Sequence, residues 1–118
     1  MADIIVTTGN DVAGFRISEY LGIVRGIVVR ATSISQGLRG AFKSFVGGNV
    51  EAYAEVCEAA RMDAFKRMAR QAKEVGADAV IAMRYDATEF GQNVTEVLAY
   101  GTAVKLRAMS AEHVTDRG

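Results

Sequence analysis

A single helical pattern runs from about residue 50 to residue 75 and takes up more than a fifth of the 118-residue chain. Asn49 is a favourable N-cap and Gly76 a favourable C-terminal stop, so the sequence marks both ends of this helix. One stripe of the helix consists largely of small and apolar side chains, which suit close packing against a sheet or another helix better than the lining of a roomy pocket. The stripe comprises Tyr53, Cys57, Ala60, Ala64, Met68, Gln71 and Val75.

Extended segments flank this helix on both sides. Residues 4–8 and 15–31 come before it, and residues 78–90 and 94–107 come after it. Gly91-Gln92-Asn93 joins the last two segments with turn chemistry, which predicts a hairpin.

The stretch of residues 15–31 carries apolar side chains at both odd and even positions. Neither face of this strand is cleanly polar, and we therefore expect both faces to be partly covered. Gly22 and Gly26 interrupt the stretch and indicate bends, bulges or a close approach of another backbone.

A second, short helix is predicted over residues 33–46, and Gly47-Gly48 ends it. The predicted order is then ββααββ, an α+β domain with a helical layer on one sheet. No repeat or linker divides residues 1–107, which we interpret as one domain. Residues 108–118 are polar and aperiodic and predict a flexible tail.

Composition excludes several classes of protein. Fourteen basic and fourteen acidic residues balance, so the chain lacks the strongly basic character of many nucleic-acid and membrane-surface binders. One Cys cannot form an intrachain disulfide, and one Cys with one His cannot build a Cys/His zinc site within one chain. We expect no nucleic-acid or membrane partner.

The absence of proline favours self-association. The chain has no Pro, so none guards an exposed strand edge against pairing between subunits. No apolar run is long enough for a membrane span, and the first residues lack the basic start of a signal peptide. We therefore expect a cytoplasmic protein.

Several short motifs, in order, resemble the YbjQ family of small bacterial proteins, which are often labelled heavy-metal-binding. The resemblance covers about residues 4–106. The motifs are Glu19-Tyr20-Leu21-Gly22-Ile23-Val24 with Gly26, Val46-Gly47-Gly48, Tyr53, Ala60-Arg61, Gly76-Ala77-Asp78-Ala79-Val80-Ile81 and Tyr100-Gly101-Thr102-Ala103-Val104.

This resemblance implies a dodecin-like subunit, in which an antiparallel sheet packs against a helix, and assembly into a ring, most often a pentamer. It implies little about biochemistry. It identifies no cofactor beyond the metal ion that the family label suggests.

Cys57 is the candidate metal ligand, since a thiolate binds soft or borderline ions. A lone Cys on an alanine-rich helix is more often a small buried apolar residue. The metal interpretation therefore depends on symmetry, in which a ring brings several copies of Cys57 together.

Tyr53 and Arg61 are the candidate ligand-binding residues. They lie eight positions apart on the long helix and so share one side of it. Arg61 interrupts an otherwise apolar side, and one interpretation is an ion pair with Glu19 or Glu96. The alternative is an anion or aromatic ligand held at an interface by Arg and Tyr.

Other polar residues give weaker signals. His113 lies in the polar tail, and Asp86 and Glu89 lie on opposite faces of a strand. Gly47-Gly48-Asn49 before a helix fits a joint between helices better than an anion cradle. No residues suggest nucleophilic catalysis, and we predict no catalytic residue.

Three functions remain open at this point. The first is a non-enzymatic ring that binds a metal ion or a small ligand at subunit interfaces. The second is a structural ring that presents a surface to a protein partner. The third is an enzyme with an interface active site.

Overall fold

The computed structural model describes residues 3–31, 50–89 and 94–109, without the side chains of residues 31 and 50–56. The predicted short helix over residues 33–46, the hairpin turn and most of the predicted tail lie outside the described residues. Within the described ranges, no helix is long and apolar enough to cross a membrane. The elements are β1 (Ile5–Val6), β2 (Phe15–Ala31), α1 (Val50–Glu74), β3 (Ala79–Glu89) and β4 (Val94–Ala108).

In the described ranges, four strands form one sheet in the order β1-β3-β4-β2. β4 lies in the middle, antiparallel to both β2 and β3, as the predicted hairpin of the last two strands requires. β1 pairs with β3 in parallel through two residues. The sheet is therefore mixed.

The prediction of a dodecin-like antiparallel sheet in the order ββααββ is wrong. The described order is β-β-α-β-β, with one helix, and β1 is parallel to its neighbour. An antiparallel sheet would require every strand to run opposite to its neighbours. Instead, the chain after β1 crosses the base of the sheet, where Val12 packs on a small cluster that includes Val104. This crossing places β1 and β2 at opposite edges of the sheet.

Helix α1 covers one face of the sheet at very short range. Gly26 on β2 faces the backbone of α1, and a Cβ atom added there would lie 2.0 Å from the carbonyl oxygen of Ala64. Small helix residues make this approach feasible, and Ala64 and Ala72 are completely buried. Ala60, Ala64 and Met68 of the predicted stripe are buried against the sheet as the sequence predicted, whereas Gln71 and Val75 at its end are exposed.

Two bulges bend β2 in its first half. The pairing with β4 shifts between Ile17 and Glu19 and again between Tyr20 and Gly22. Gly22 has a φ of 106°, which L side chains rarely adopt, and an added Cβ would meet no atom within 4 Å. The bend in β2 therefore requires Gly22, whereas the close approach of α1 to β2 requires Gly26.

Gly76 ends the helix as predicted, with a φ of 83°. Its amide donates to the carbonyl of Lys73, and the amide of Ala77 donates to the carbonyl of Ala72. These bonds satisfy carbonyl groups of the last turn and turn the chain directly into β3.

Candidate functional site

The predicted site residues Cys57 and Arg61 lie on α1, and Arg61 is close enough to β3 for its charge to act on Tyr85. Cys57 and Arg61 are one helical turn apart, with Glu58 beside them. Tyr85 on β3 lies close enough for the charges of Glu58 and Arg61 to act on its phenol. We call these four residues the helix–β3 cluster. It is formed where α1 leaves the last part of β3 uncovered.

Arg61 is paired within its own helix. Its Nη1 atom lies 4.0 Å from Oε1 of Glu58, and both side chains are more than half exposed. The predicted alternatives, Glu19 and Glu96, are not its partners among the described residues. A long, exposed pair of this kind contributes little to stability, and the guanidinium remains accessible to a ligand.

Tyr85 has a perturbed phenol. Partial burial raises its pKa above the ordinary value of about 10, and the neighbouring carboxylate of Glu58 raises it further, while the guanidinium of Arg61 acts in the opposite direction. At neutral pH the phenol is therefore protonated and can both donate and accept hydrogen bonds.

The titration of Tyr85 can be tested directly. Because the pKa of Tyr85 is raised in the folded state, its protonated phenol contributes to the free energy of unfolding. This contribution is fully present below about pH 10 and is lost as the pH rises further. Glu58→Gln removes the carboxylate that raises this pKa, so we expect Tyr85 to ionise at lower pH in that variant. Titration of the ultraviolet absorbance of tyrosinate measures the shift in pKa. Subtracting the titration curve of Tyr85→Phe isolates the signal of this residue. An unchanged titration in Glu58→Gln would contradict this account of the cluster.

Cys57 is a half-buried free thiol. Within the described residues, no three His, Cys, Asp or Glu side chains lie together as a metal site would need. One soft ligand on a helix does not hold a heavy-metal ion. The described part of one chain therefore does not fit a complete metal centre.

The structure does not bring the remaining candidate site residues together. The backbone of Tyr53 lies in the first turns of α1, but its side chain is not among those described, as is also true of His113 and Gly47-Gly48-Asn49. Asp86 bonds locally, with its Oδ1 atom accepting from the amide of Ala87 at 2.9 Å. Asp86 and Glu89 do not converge on a metal site.

Sequence reasoning missed Glu58 and Tyr85. Glu58 is a charged residue outside the apolar stripe of the helix, and Tyr85 lies on a strand far along the chain. The spacing of Arg61 three residues after Glu58 is a signal for a local ion pair and was available from the sequence. No spacing could have placed Tyr85 beside them, because that contact depends on how α1 crosses the sheet.

The face of the sheet opposite α1 forms a second surface, which we call the open face. Ile23 is 78% exposed, Tyr20 68% and Val29 59%. The expectation that both faces of this strand are partly covered is met on this face only near Ile17, which packs on a small cluster with Val104. The cross-strand register places six large apolar side chains on this face, with Arg25 among them: Tyr20, Ile23, Ile27, Val29, Leu98 and Tyr100.

The fold and the cluster define a small α+β protein in which one helix covers one face of a mixed sheet and a polar cluster lies at the helix edge. The chain belongs to the YbjQ family, whose model carries the description "Putative heavy-metal-binding" and matches residues 4–107. This finding confirms the resemblance that the motifs suggested.

The chain is similar to several curated proteins named UPF0145. One from Legionella pneumophila strain Lens is 57% identical over 101 residues, covering 86% of this chain and 96% of the relative. One from Solibacter usitatus is 52% identical, covering 86% and 90%. One from Burkholderia thailandensis is 48% identical, covering 86% and 91%.

The fold is also similar to a crystal structure of a protein of unknown function from Pediococcus pentosaceus. The TM-score is 0.58 at 16% identity, and the match covers 88% of this chain and 98% of that one. At this identity the likeness concerns the fold alone.

Proposed function

We propose that this protein is a non-enzymatic, ring-forming homo-oligomer of the cytoplasm that binds a small ligand or a metal ion at its subunit interfaces. The observation that carries the proposal is the open face, where large apolar side chains of β2 and β4 lie in water around Arg25. Contiguous apolar patches of this kind mark interaction sites, whereas scattered apolar residues need no explanation.

Self-association explains this face most economically. A second copy of the chain is always present at the same concentration and carries the same apolar surface. The ring, and a pentamer in particular, is the assembly that the family resemblance favours. Burying apolar area stabilises such contacts by roughly 25 cal/mol per Å².

The helix–β3 cluster supports binding of a small polar ligand. Arg61 offers several N–H donors, and the protonated phenol of Tyr85 offers one donor and one acceptor. Both side chains are exposed in the single chain, so a neighbouring subunit would be needed to close the site over a ligand. Tyr53, the second candidate ligand-binding residue, would contact the ligand at the same interface.

Metal binding would require symmetry. Because one chain contributes a single thiol, a metal ion would need Cys57 from more than one copy. A small polar ligand needs only the groups already gathered in the helix–β3 cluster and is the stronger form of the proposal.

Native mass spectrometry of untagged protein, with elemental analysis of the same sample, tests both parts. We expect a discrete multiple of the 12.6 kDa subunit that carries additional bound mass. A monomer would refute the proposal, and an empty ring would favour a purely structural role.

The contribution of Cys57 is tested on the same instrument. We expect Cys57→Ala to leave assembly intact and to remove thiol-dependent metal uptake. Met62→Leu is a matched control, because it removes a sulfur atom from an exposed position of the same helix without touching the thiol. Unchanged metal uptake in Cys57→Ala would show that the thiolate is not a ligand.

A further inference from the structure

Strand β3 contains a strained residue. Among the described residues, Ala82 is the only one other than glycine with a positive φ, which is 53°. L side chains rarely adopt this left-handed conformation. The amide of Ala82 donates to the carbonyl of Gly9 at 2.8 Å, and the next amide donates to the carbonyl of Thr7 at 3.0 Å, so the chain after β1 holds the strained backbone in place. Strained backbone of this kind concentrates at functional sites.

The strain belongs to a bulge that turns over the second half of β3. Ile81 faces away from α1 and pairs with Thr102. The next pair along the ladder joins Arg84 to Tyr100, so β3 advances three residues while β4 advances two. Because successive side chains alternate between faces, a regular strand would turn Arg84 towards α1. The bulge instead places Arg84 on the open face.

This placement completes a row of three side chains across the open face. Tyr100 lies opposite Arg84 on β3 and opposite Arg25 on β2. Neighbouring strands lie about 4.8 Å apart, so the two arginines flank one phenol at close range. All three residues are exposed. We call Arg25, Tyr100 and Arg84 the cationic row.

The cationic row lacks a countercharge within the described part of the chain. No carboxylate there lies within ion-pair distance of Arg25 or Arg84. Asp86 lies two positions after Arg84 on the same face, but its Oδ1 atom accepts from the amide of Ala87. An anion placed between two guanidinium groups is attracted by both. The row therefore favours an anionic ligand.

Arg84 is oriented before any ligand arrives. Its Nη1 atom donates to the carbonyl of Thr8 at 3.0 Å and to the carbonyl of Met83 at 2.8 Å. With the described residues, its other nitrogen atoms make no hydrogen bond and can donate to a ligand. Because these two bonds already restrict the side chain, less conformational entropy is lost when an anion binds.

The surroundings of the cationic row indicate the rest of the ligand. Guanidinium groups bind phosphate and carboxylate oxygens through paired N–H donors, and the hydroxyl of Tyr100 adds one more donor. Apolar side chains border the row on both sides, with Ile23 on one side and Ile27 and Leu98 on the other. Two guanidinium groups suit two negative charges better than one. A matching ligand therefore combines a doubly charged oxyanion with an apolar body.

We propose that the cationic row binds a small organic phosphate monoester with an apolar body, whose phosphate lies between the guanidinium groups of Arg25 and Arg84. This site lies on the opposite face of the sheet from the helix–β3 cluster, so the inference goes beyond the proposed function. In an assembly that covers the open face, the phosphate would also supply the countercharge that guanidinium groups need when they leave water.

Isothermal titration calorimetry with phenyl phosphate tests this site, at about pH 7.5 where the phosphate is largely doubly charged. We expect saturable binding of one phenyl phosphate per subunit. Arg25→Gln and Arg84→Gln should each raise the dissociation constant at least tenfold, because each removes a charged hydrogen-bond donor. Arg16→Gln removes the same charge from an exposed position near the start of β2 and is the matched control, with binding expected to equal that of the wild type.

Two further probes test the class of ligand. Benzoate keeps the ring but carries one charge, and inorganic phosphate keeps the charge but has no ring, so each should bind at least fivefold more weakly than phenyl phosphate. Equal binding of benzoate would overturn the phosphate, and equal binding of inorganic phosphate would overturn the apolar body. Asp86→Asn removes a negative charge beside the row and should tighten binding severalfold, whereas weaker binding in this variant would overturn an anionic ligand.

The outcomes separate this inference from the proposed ring. A wild-type ring that does not bind phenyl phosphate would overturn the phosphate site and leave the ring standing, and a monomer that binds it would overturn the ring alone. Equal binding by the wild type, Arg25→Gln and Arg84→Gln would place the ligand elsewhere and overturn the assignment. Arg25→Gln decides the matter if circular dichroism shows that loss of the backbone bonds unfolds Arg84→Gln.

Discussion

Gly26→Ala is expected to lower the free energy of unfolding by about 3 kcal/mol, the upper end of the usual range for overpacked cores. The added Cβ would lie 2.0 Å from the carbonyl oxygen of Ala64 and 2.5 Å from the amide nitrogen of Met68. These are backbone atoms, so no side-chain rotation relieves the clash. The helix would have to move away from the sheet and lose the burial of its alanine face.

Thermal and urea unfolding of purified Gly26→Ala measure this effect. Gly9→Ala is a suitable control, since its Cβ would meet its nearest atom, Oγ1 of Thr7, at an ordinary 3.5 Å. We expect the control to change stability by less than about 1 kcal/mol. Equal stability of the two variants would show that α1 does not approach β2 as closely as the structure has it.

The two glycines of β2 show how far the sequence could predict this fold. Their position inside a strand indicated a bend or a close approach, and the structure contains one of each. The position where α1 crosses the sheet decides which glycine allows the bend and which allows the close approach. That position is set by packing across the whole core. Local sequence patterns carry no information on it.

Strand order was the part of the fold that the sequence could not supply. The limits of β2, α1, β3 and β4 agree with the predictions because periodicity and turn residues are local signals. The neighbour of β1 is not a local property. A strand of two residues has too little pattern to select a partner.

The candidate site followed the same division. Cys57 and Arg61 could be placed on one helix side from their spacing alone. The phenol that accompanies them comes from β3, and only the arrangement of α1 on the sheet brings Tyr85 there. When a site is assembled from distant segments, the sequence therefore predicts only the residues that share one helix and not the residue from the strand.

Ile23→Lys is expected to dissociate the proposed assembly, raising its dissociation constant at least a hundredfold. Ile23 is 78% exposed in the single chain, so a lysine there leaves the fold of the subunit unharmed. In an assembly that covers the open face, the same ammonium group would be removed from water without a partner. Burial of an unpaired charge costs several kcal/mol, and about 2.8 kcal/mol corresponds to a hundredfold change.

Met62→Lys is the matched control for Ile23→Lys. Met62 is also apolar and 50% exposed, but it lies on α1, on the other side of the molecule from the open face. Both variants add one positive charge, so a general effect of net charge would weaken both equally. Dissociation of Ile23→Lys alone, by native mass spectrometry and sedimentation, would place the subunit contact on the open face. Intact assembly of both variants would mean that the open face stays in water and that another surface holds the subunits together.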